Sequence, residues 1–232
     1  MDNLVTRPAA SNVPQRKPRV DRKARQELYA RTAAEVLIEL GLQKASMQDI
    51  ADRAGVAKIL IYRQFPSKEA LLKAIFEQVL GELRESHESP WPGYGAGLMQ
   101  VLHRARTNRA AYLLLLRDSR SDPDAKHWFA IYEERQIEPL MEFMKPAEGA
   151  PAGARQRARL AARSLVSVVT ETLISWIEDR DGLDDAERVR WFGQIVRAWR
   201  RASRLVYRLD APDRSGAGSG RSNRVAKFSD AN

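Results

Sequence analysis

An all-α fold is what this chain predicts: three N-terminal helices containing a helix-turn-helix, followed by a larger helical domain. Three observations point there. Apolar residues recur at three- and four-residue spacing from Asp21 to about residue 209, the period of one face of a helix. No stretch alternates apolar and polar side chains as a half-buried strand does, and no Asn-Gly hairpin signal occurs. Two short helical segments, each about eight residues, flank Gly55-Val56, and short helix, Gly-containing turn, short helix is the helix-turn-helix pattern.

The elements follow in order. Residues 1–20, with Pro8, Pro14 and Pro18 and few large apolar side chains, read as a disordered basic arm. From Asp21 the first helix carries a stripe of Leu28, Ala33, Val36, Leu37 and Leu40 and ends at Gly41. After Leu42–Ala45, Ser46 caps a second helix toward Asp49; it carries Ile50, Ala51 and Ala54, and Gly55 stops it. A third helix runs from near Ala57 to about Phe65, where Pro66-Ser67 breaks it. Ser67 caps a long fourth helix with Glu69 and Ala70 in its first turn and a stripe of Leu72, Ile75, Phe76, Val79 and Leu83. Ser89–Gly97, with two prolines and three glycines, is a loop.

Further helices are expected at about 97–107, 109–119, 123–145, 152–180 and 185–209. Pro139 should kink the third of these. The Gly/Ser/Arg-rich tail 211–232 reads as disordered, and no internal repeat is found. The domain organisation is a basic arm at 1–20 and a helix-turn-helix domain at 21–67. A connecting helix follows at about 68–87, then a helical domain at 88–210 and a basic tail at 211–232.

Composition narrows the function. The chain of 232 residues has no cysteine, which excludes thiolate nucleophiles, Cys-ligated metals and disulfides. No apolar run approaches the roughly 18 residues that cross a bilayer, the longest being Leu113–Leu116, and the polar N-terminus lacks a secretory signal. A cytoplasmic protein without a membrane partner is the expectation. Positive charge gathers at the ends: residues 1–67 hold twelve Lys/Arg against seven Asp/Glu, and residues 197–232 nine against three. Such segments suit nucleic acid, an anionic surface or solubility alone.

The helix-turn-helix is where the chemistry collects. With Ile50, Ala54, Val56 and Ile61 assigned to the core, the third helix still presents Lys58, Tyr62 and Arg63, donors able to meet DNA from the major groove. The stretch from Ser46 to Leu72 resembles the DNA-binding region of the tetracycline-repressor (TetR) family. The matching marks are Asp49-Ile50-Ala51, Ala54-Gly55-Val56, Tyr62 with Phe65, and Ser67-Lys68-Glu69 with Leu71-Leu72. The likeness covers about residues 22–83, and downstream only helix number and length are similar.

That resemblance implies roles. Tyr62 would touch a phosphate or pack on the sugar, and Lys68 would pair with a phosphate. Ser46 and Gln48 would bond phosphate or a base edge, although Ser46 serves equally as a cap and Tyr62 also reads as packing. Lys58 and Arg63 can reach guanine O6/N7 or a phosphate. Gln64 reads as a solvated side chain. The chain departs from the family in having Ala57, which cannot cap, and Ile59 and Leu60 where small or hydroxyl residues often sit. Either aliphatic can contact a thymine methyl, and neither can read a donor–acceptor pattern. Arg7, Arg16, Lys17 and Arg19 of the arm would lie near the DNA backbone.

The resemblance also implies a homodimer on an operator and a small-molecule effector. The last two long helices are apolar on more than one face, as a helix buried on two sides must be; Leu165, Val169, Trp176, Phe192, Ile195 and Trp199 are the candidate dimer contacts. Trp128, Phe129 and Tyr132, with Met99, Leu114 and Leu115 opposite, are candidate effector contacts, though they read as core as well. His103 and Arg106 would add a polar handle, so a mainly apolar effector is expected, and a repressor is the favoured sign. The three histidines are spaced wrongly for a metal site, and no cofactor is expected. Two other classes stay open: a DNA-coating protein without sequence choice, and an enzyme, for which Gly93–Gly97 has neither a preceding strand nor a following Gly-Lys-Ser/Thr.

Overall fold

A computed structural model describes residues 22–88, 96–179, 182–207 and 209. The arm, the tail and most of the loop at 89–97 lie outside the described residues. The described residues form nine α-helices: α1 Arg22–Leu40, α2 Met47–Ala54, α3 Lys58–Tyr62, α4 Lys68–Glu88, α5 Ala96–Thr107, α6 Arg109–Leu116, α7 Lys126–Phe143, α8 Ala154–Glu178 and α9 Asp185–Val206. A 3-10 turn at Asp118–Arg120 follows α6, where one helix to 119 was expected. The chain divides into two compact units between Ile75 and Phe76, within α4.

In the first unit α1 turns Tyr29, Ala30, Ala33, Ala34, Val36 and Leu37 inward, while Leu28 and Leu40 are exposed. The expected stripe was misphased at its start. Leu28 lies five residues before Ala33, about 140° around the helix, whereas Tyr29 at four residues is within about 40°. On α2, Ile50 and Ala51 are fully buried, and Ala54 and Val56 are half-buried. α3 has five residues, fewer than expected. Beyond Tyr62 the chain closes into a turn, with the Gln64 and Phe65 N–H groups both donating to the Ile61 carbonyl at 2.9 Å. On α4 the inward residue of the first turn is Leu71, and Leu72 is only half-buried.

In the second unit α6 is its most apolar element, and Tyr112 through Leu116 are all fully buried. Side chains on a helix point round its whole circumference, so a run buried at every position must be enclosed on all sides. α7 packs along α8, and α5 contacts both α8 and α9. The α8 start meets the α9 end, where Arg157 Nε donates to the Tyr207 carbonyl at 2.6 Å. There Met144, Ala154, Ala158, Ala161 and Leu209 form a small cluster, with Trp199 against it. No uninterrupted apolar run of that length occurs in α8, but by length and mean hydropathy the helix matches a bilayer-crossing one. Its buried residues, from Ala154 to Ile177, serve this unit's core.

Candidate nucleic-acid interface

The helix-turn-helix is held by local bonds that leave one surface free. Ser46 and Asp49 form a reciprocal cap: the Asp49 N–H donates to Ser46 Oγ at 3.2 Å, and the Ser46 N–H donates to Asp49 Oδ2 at 2.8 Å. The Ser46 hydroxyl also donates to Asp49 Oδ2 at 2.7 Å. These bonds from Ser46 favour the ionised carboxylate, so Asp49 titrates below its usual range. At the other end of α2, Gly55 adopts φ +64°, and the Val56 N–H reaches back to the Ala51 carbonyl at 3.1 Å. That left-handed turn is strained for any residue with a Cβ, and it re-aims the chain into α3. Arg53 ties α2 to α1 through Glu39 at 2.5 Å.

α3 is anchored by one residue. Ile61 is fully buried, with Phe65 just beyond it, and Lys58, Ile59, Leu60, Tyr62 and Arg63 all face outward. Lys58 Nζ stands 5.8 Å from the Tyr62 ring centroid, within cation–π reach. Ala57 is the N-cap and makes no side-chain bond. Lys68, half-buried at the start of α4, donates to the Gln43 carbonyl at 3.5 Å. Ser67 Oγ accepts the Ala70 N–H at 3.1 Å, so this helix start is capped as expected.

The structure therefore brings Lys58, Ile59, Leu60 and Tyr62 together on one short helix, with Arg63 as its C-cap. Two of the other expected contacts are already engaged locally: Ser46 in its cap, and Gln48, whose amide donates to Asp52 Oδ1 at 2.7 Å. Gln64 differs from expectation. It is half-buried, and its Oε1 is shut away from solvent without a hydrogen-bond partner, because the turn after α3 folds it back with Phe65. The carbonyl of Gln43, which steadies Lys68, was not anticipated; a backbone acceptor 25 residues away leaves no mark in the sequence.

The remaining expected site residues lie in the second unit. Leu114 and Leu115 are fully buried, and Met99, Trp128 and Phe129 are half-buried. Tyr132 is buried, its hydroxyl 2.7 Å from Thr170 Oγ1, and burial pushes the phenol up to about 12. Phe129 packs on Tyr132 and carries the Arg120 guanidinium 4.4 Å above its ring; Trp128 packs on Phe76. His103 is exposed. Arg106 does not turn toward these aromatics: both its Nε and Nη2 donate to Asp185 at 2.6 Å. It borders a polar cavity of about 450 Å³ with Asp179, Leu183, Asp185 and Arg188. Among the described residues no group of three or more His, Asp or Glu could hold a metal ion.

Of the expected dimer contacts, Leu165, Trp176 and Phe192 lie in this chain's own core, with the Trp176 and Phe192 rings edge to face at 5.7 Å. Val169 and Trp199 are half-buried, and Ile195 is exposed. The large apolar residues that do face outward are Leu160 and Val168 on α8, and Trp191, Ile195, Leu205 and Val206 on α9. A period count could not separate the two sets, because both faces of each helix are apolar.

Comparison with known proteins agrees with this geometry. Residues 31–75 match the family described as bacterial regulatory proteins, tetR family. The chain is 24% identical over 212 residues to the HTH-type transcriptional activator FasR of Mycolicibacterium smegmatis, spanning 83% of this chain and 89% of that protein. It is 34% identical over 68 residues to the class C tetracycline repressor of Escherichia coli, 29% of this chain and 31% of that one. Among solved structures, a TetR-like transcriptional regulator from Rhodococcus sp. RHA1 superposes with a TM-score of 0.60 at 19% identity, over 81% of this chain and 99% of that one. The regulator FadR of Bacillus subtilis, in complex with stearoyl-CoA, superposes at 0.52 and 17% identity, over 73% and 96%.

Proposed function

We propose, from the match of residues 31–75 to the tetR family of bacterial regulatory proteins, that this chain is a homodimeric repressor released from a palindromic operator by a small, mainly apolar molecule. One observation carries the DNA-binding part: Ile61 alone anchors α3, and every other residue of that helix faces out. A helix so placed in a helix-turn-helix enters the major groove, with Lys58 and Arg63 as base or phosphate donors and Tyr62 and Lys68 on the backbone.

The homodimer is supported by the exposed apolar residues of α9. Trp191, Ile195, Ala198, Ala202 and Leu205 recur at four, three, four and three residues, all exposed, and such a stripe is expected to find a partner. A second copy presents the same stripe, which makes an isologous contact. An apolar effector is supported by the fully buried leucines of α6 and by the aromatic residues of α7. The FadR neighbour is in complex with stearoyl-CoA, and an acyl or aromatic molecule matches the chemistry of these residues.

The mechanism would be a shift in population. An effector that binds better to one arrangement of the dimer favours a spacing of the two α3 helices that no longer fits successive major grooves. A second reading, activation, is favoured by the FasR relative, a transcriptional activator. Selection of bound duplexes from a random pool tests the core of the proposal. An inverted repeat should emerge, and transcription from a promoter carrying it should fall when the protein is added. Equal retention of all duplexes would leave a DNA-coating protein, and a rise in transcription would leave the activator.

A further inference from the structure

We propose that Ile59 and Leu60 read the C5-methyl group of thymine in the major groove, so that part of the operator's sequence is specified by methyl contact. The inference rests on the DNA-binding reading above and adds the chemistry that is recognised. Ile59 is 64% exposed and Leu60 37%, side by side on the helix whose only buried residue is Ile61. They sit among cations, with Lys58 before them and Arg63 after, both outward.

Exposed aliphatics in such a setting match one feature of duplex DNA. Each base pair offers donors and acceptors in the major groove, and the thymine methyl is the apolar group among them. Ile and Leu have no donor or acceptor with which to read anything else. The cationic neighbours bring the helix to the phosphates and supply guanine contacts, leaving the aliphatics to select methyl-bearing pyrimidines. Because the methyl alone is read, 5-methylcytosine should bind better than cytosine at the same position.

The test uses the full chain and the duplex selected from the random pool. Each thymine is replaced in turn by deoxyuridine, which removes only the methyl. Burying one such carbon is worth about 0.8 kcal/mol, so about a fourfold loss of affinity is expected at one or more positions per half-site. In Ile59→Ala or Leu60→Ala the same substitution should cost nothing at that position, and Ile59→Val should retain part of the penalty. Both side chains are exposed, so a circular-dichroism melt should match that of the parent. If uracil is tolerated at every thymine, or its penalty is unchanged in both alanine variants, methyl reading is overturned while DNA binding stands. If no duplex is preferred at all, the DNA-binding reading falls and this inference with it.

Discussion

Arg106 on α5 grips Asp185, the first residue of α9, with two hydrogen bonds of 2.6 Å across 79 residues of sequence. The Asp184 side chain, as N-cap, accepts the Ala186 N–H at 3.2 Å beside it, so the start of α9 is fixed twice. Arg106 holds the Asp185 carboxyl below its usual range. A bidentate pair is the stronger kind of ion pair, but this one is partly exposed, which limits it to about 1 kcal/mol. Arg106→Ala should therefore destabilise the chain by about that much in urea unfolding at neutral pH. A depressed carboxylate contributes above its unfolded pKa and is lost as pH falls through the folded one. The cost of the substitution should shrink as pH is lowered below the ordinary aspartate range; a cost independent of pH would contradict this role.

Tyr132 titrates with the opposite slope. Its phenol is raised by burial, so the folded protein keeps a proton that the unfolded chain releases. Stability should fall as pH rises from the ordinary tyrosine value near 10 toward about 12. Tyr132→Phe should flatten that alkaline decline while costing about 1 kcal/mol at neutral pH for the missing bond to Thr170. Thermal melts across this range in both proteins decide it. Tyr112 is also raised by burial, beside Glu82, so the single substitution should remove only part of the slope.

The exposed face of α9 gives a prediction about assembly. Trp191→Glu or Ile195→Glu should shift the chain toward monomer in sedimentation at micromolar concentration and leave its melting temperature in the monomer nearly intact. The proper control is exposed Arg190. Arg188, which looks like a surface residue in the sequence, is only 7% exposed, and changing it would disturb the core. A wild-type chain that sediments as a monomer would remove the homodimer.

Lys68 and Arg63 should separate under salt titration. Each phosphate that a lysine or arginine neutralises contributes about −0.9 to the slope of log affinity against log salt. Lys68→Ala should weaken all duplexes alike and make the slope shallower by about that amount for the phosphate it no longer reaches. Arg63→Ala, if the side chain reads guanine, should instead relax the preference at one base pair by about 1–3 kcal/mol. Identical salt slopes for the parent and Lys68→Ala would take Lys68 away from the backbone.

The Ser46–Asp49 cap should matter through folding. Ser46→Ala removes the acceptor for the Asp49 N–H, and loss of such a cap costs about 1 kcal/mol. If Ser46 also touched DNA, affinity would drop even where the variant is fully folded. Comparing melting with binding well below the melting temperature distinguishes the two.

How much was legible follows from where each signal resides. Helices α1 to α4, the Ser46 and Ser67 caps and the Gly55 turn were readable because they are local: caps, left-handed turns and apolar periods act within a few residues. The same locality placed Lys58, Tyr62 and Arg63 outside once Ile61 was assigned inside. The five-residue length of α3 and the folded-back Gln64 were not legible: no Gly or left-handed turn marks the end of α3, and the Gln64 and Phe65 N–H groups share the Ile61 carbonyl without any side-chain signal for it.

In the second unit the sequence by itself determined that the chain is helical and where most helices lie, because a 3.6-residue period needs no partner to be seen. It could not choose among apolar faces. Leu165 and Leu160, or Phe192 and Trp191, are alike in hydropathy, and only packing puts one of each pair in the core and the other in solvent. Arg106 is the same case for charge. Its partner Asp185 is remote in sequence, so the tertiary structure alone decided that it steadies the start of α9 and does not face the aromatics of α7. Local rules act on backbone and near neighbours; the partner of a side chain is set by the long-range contacts that folding creates.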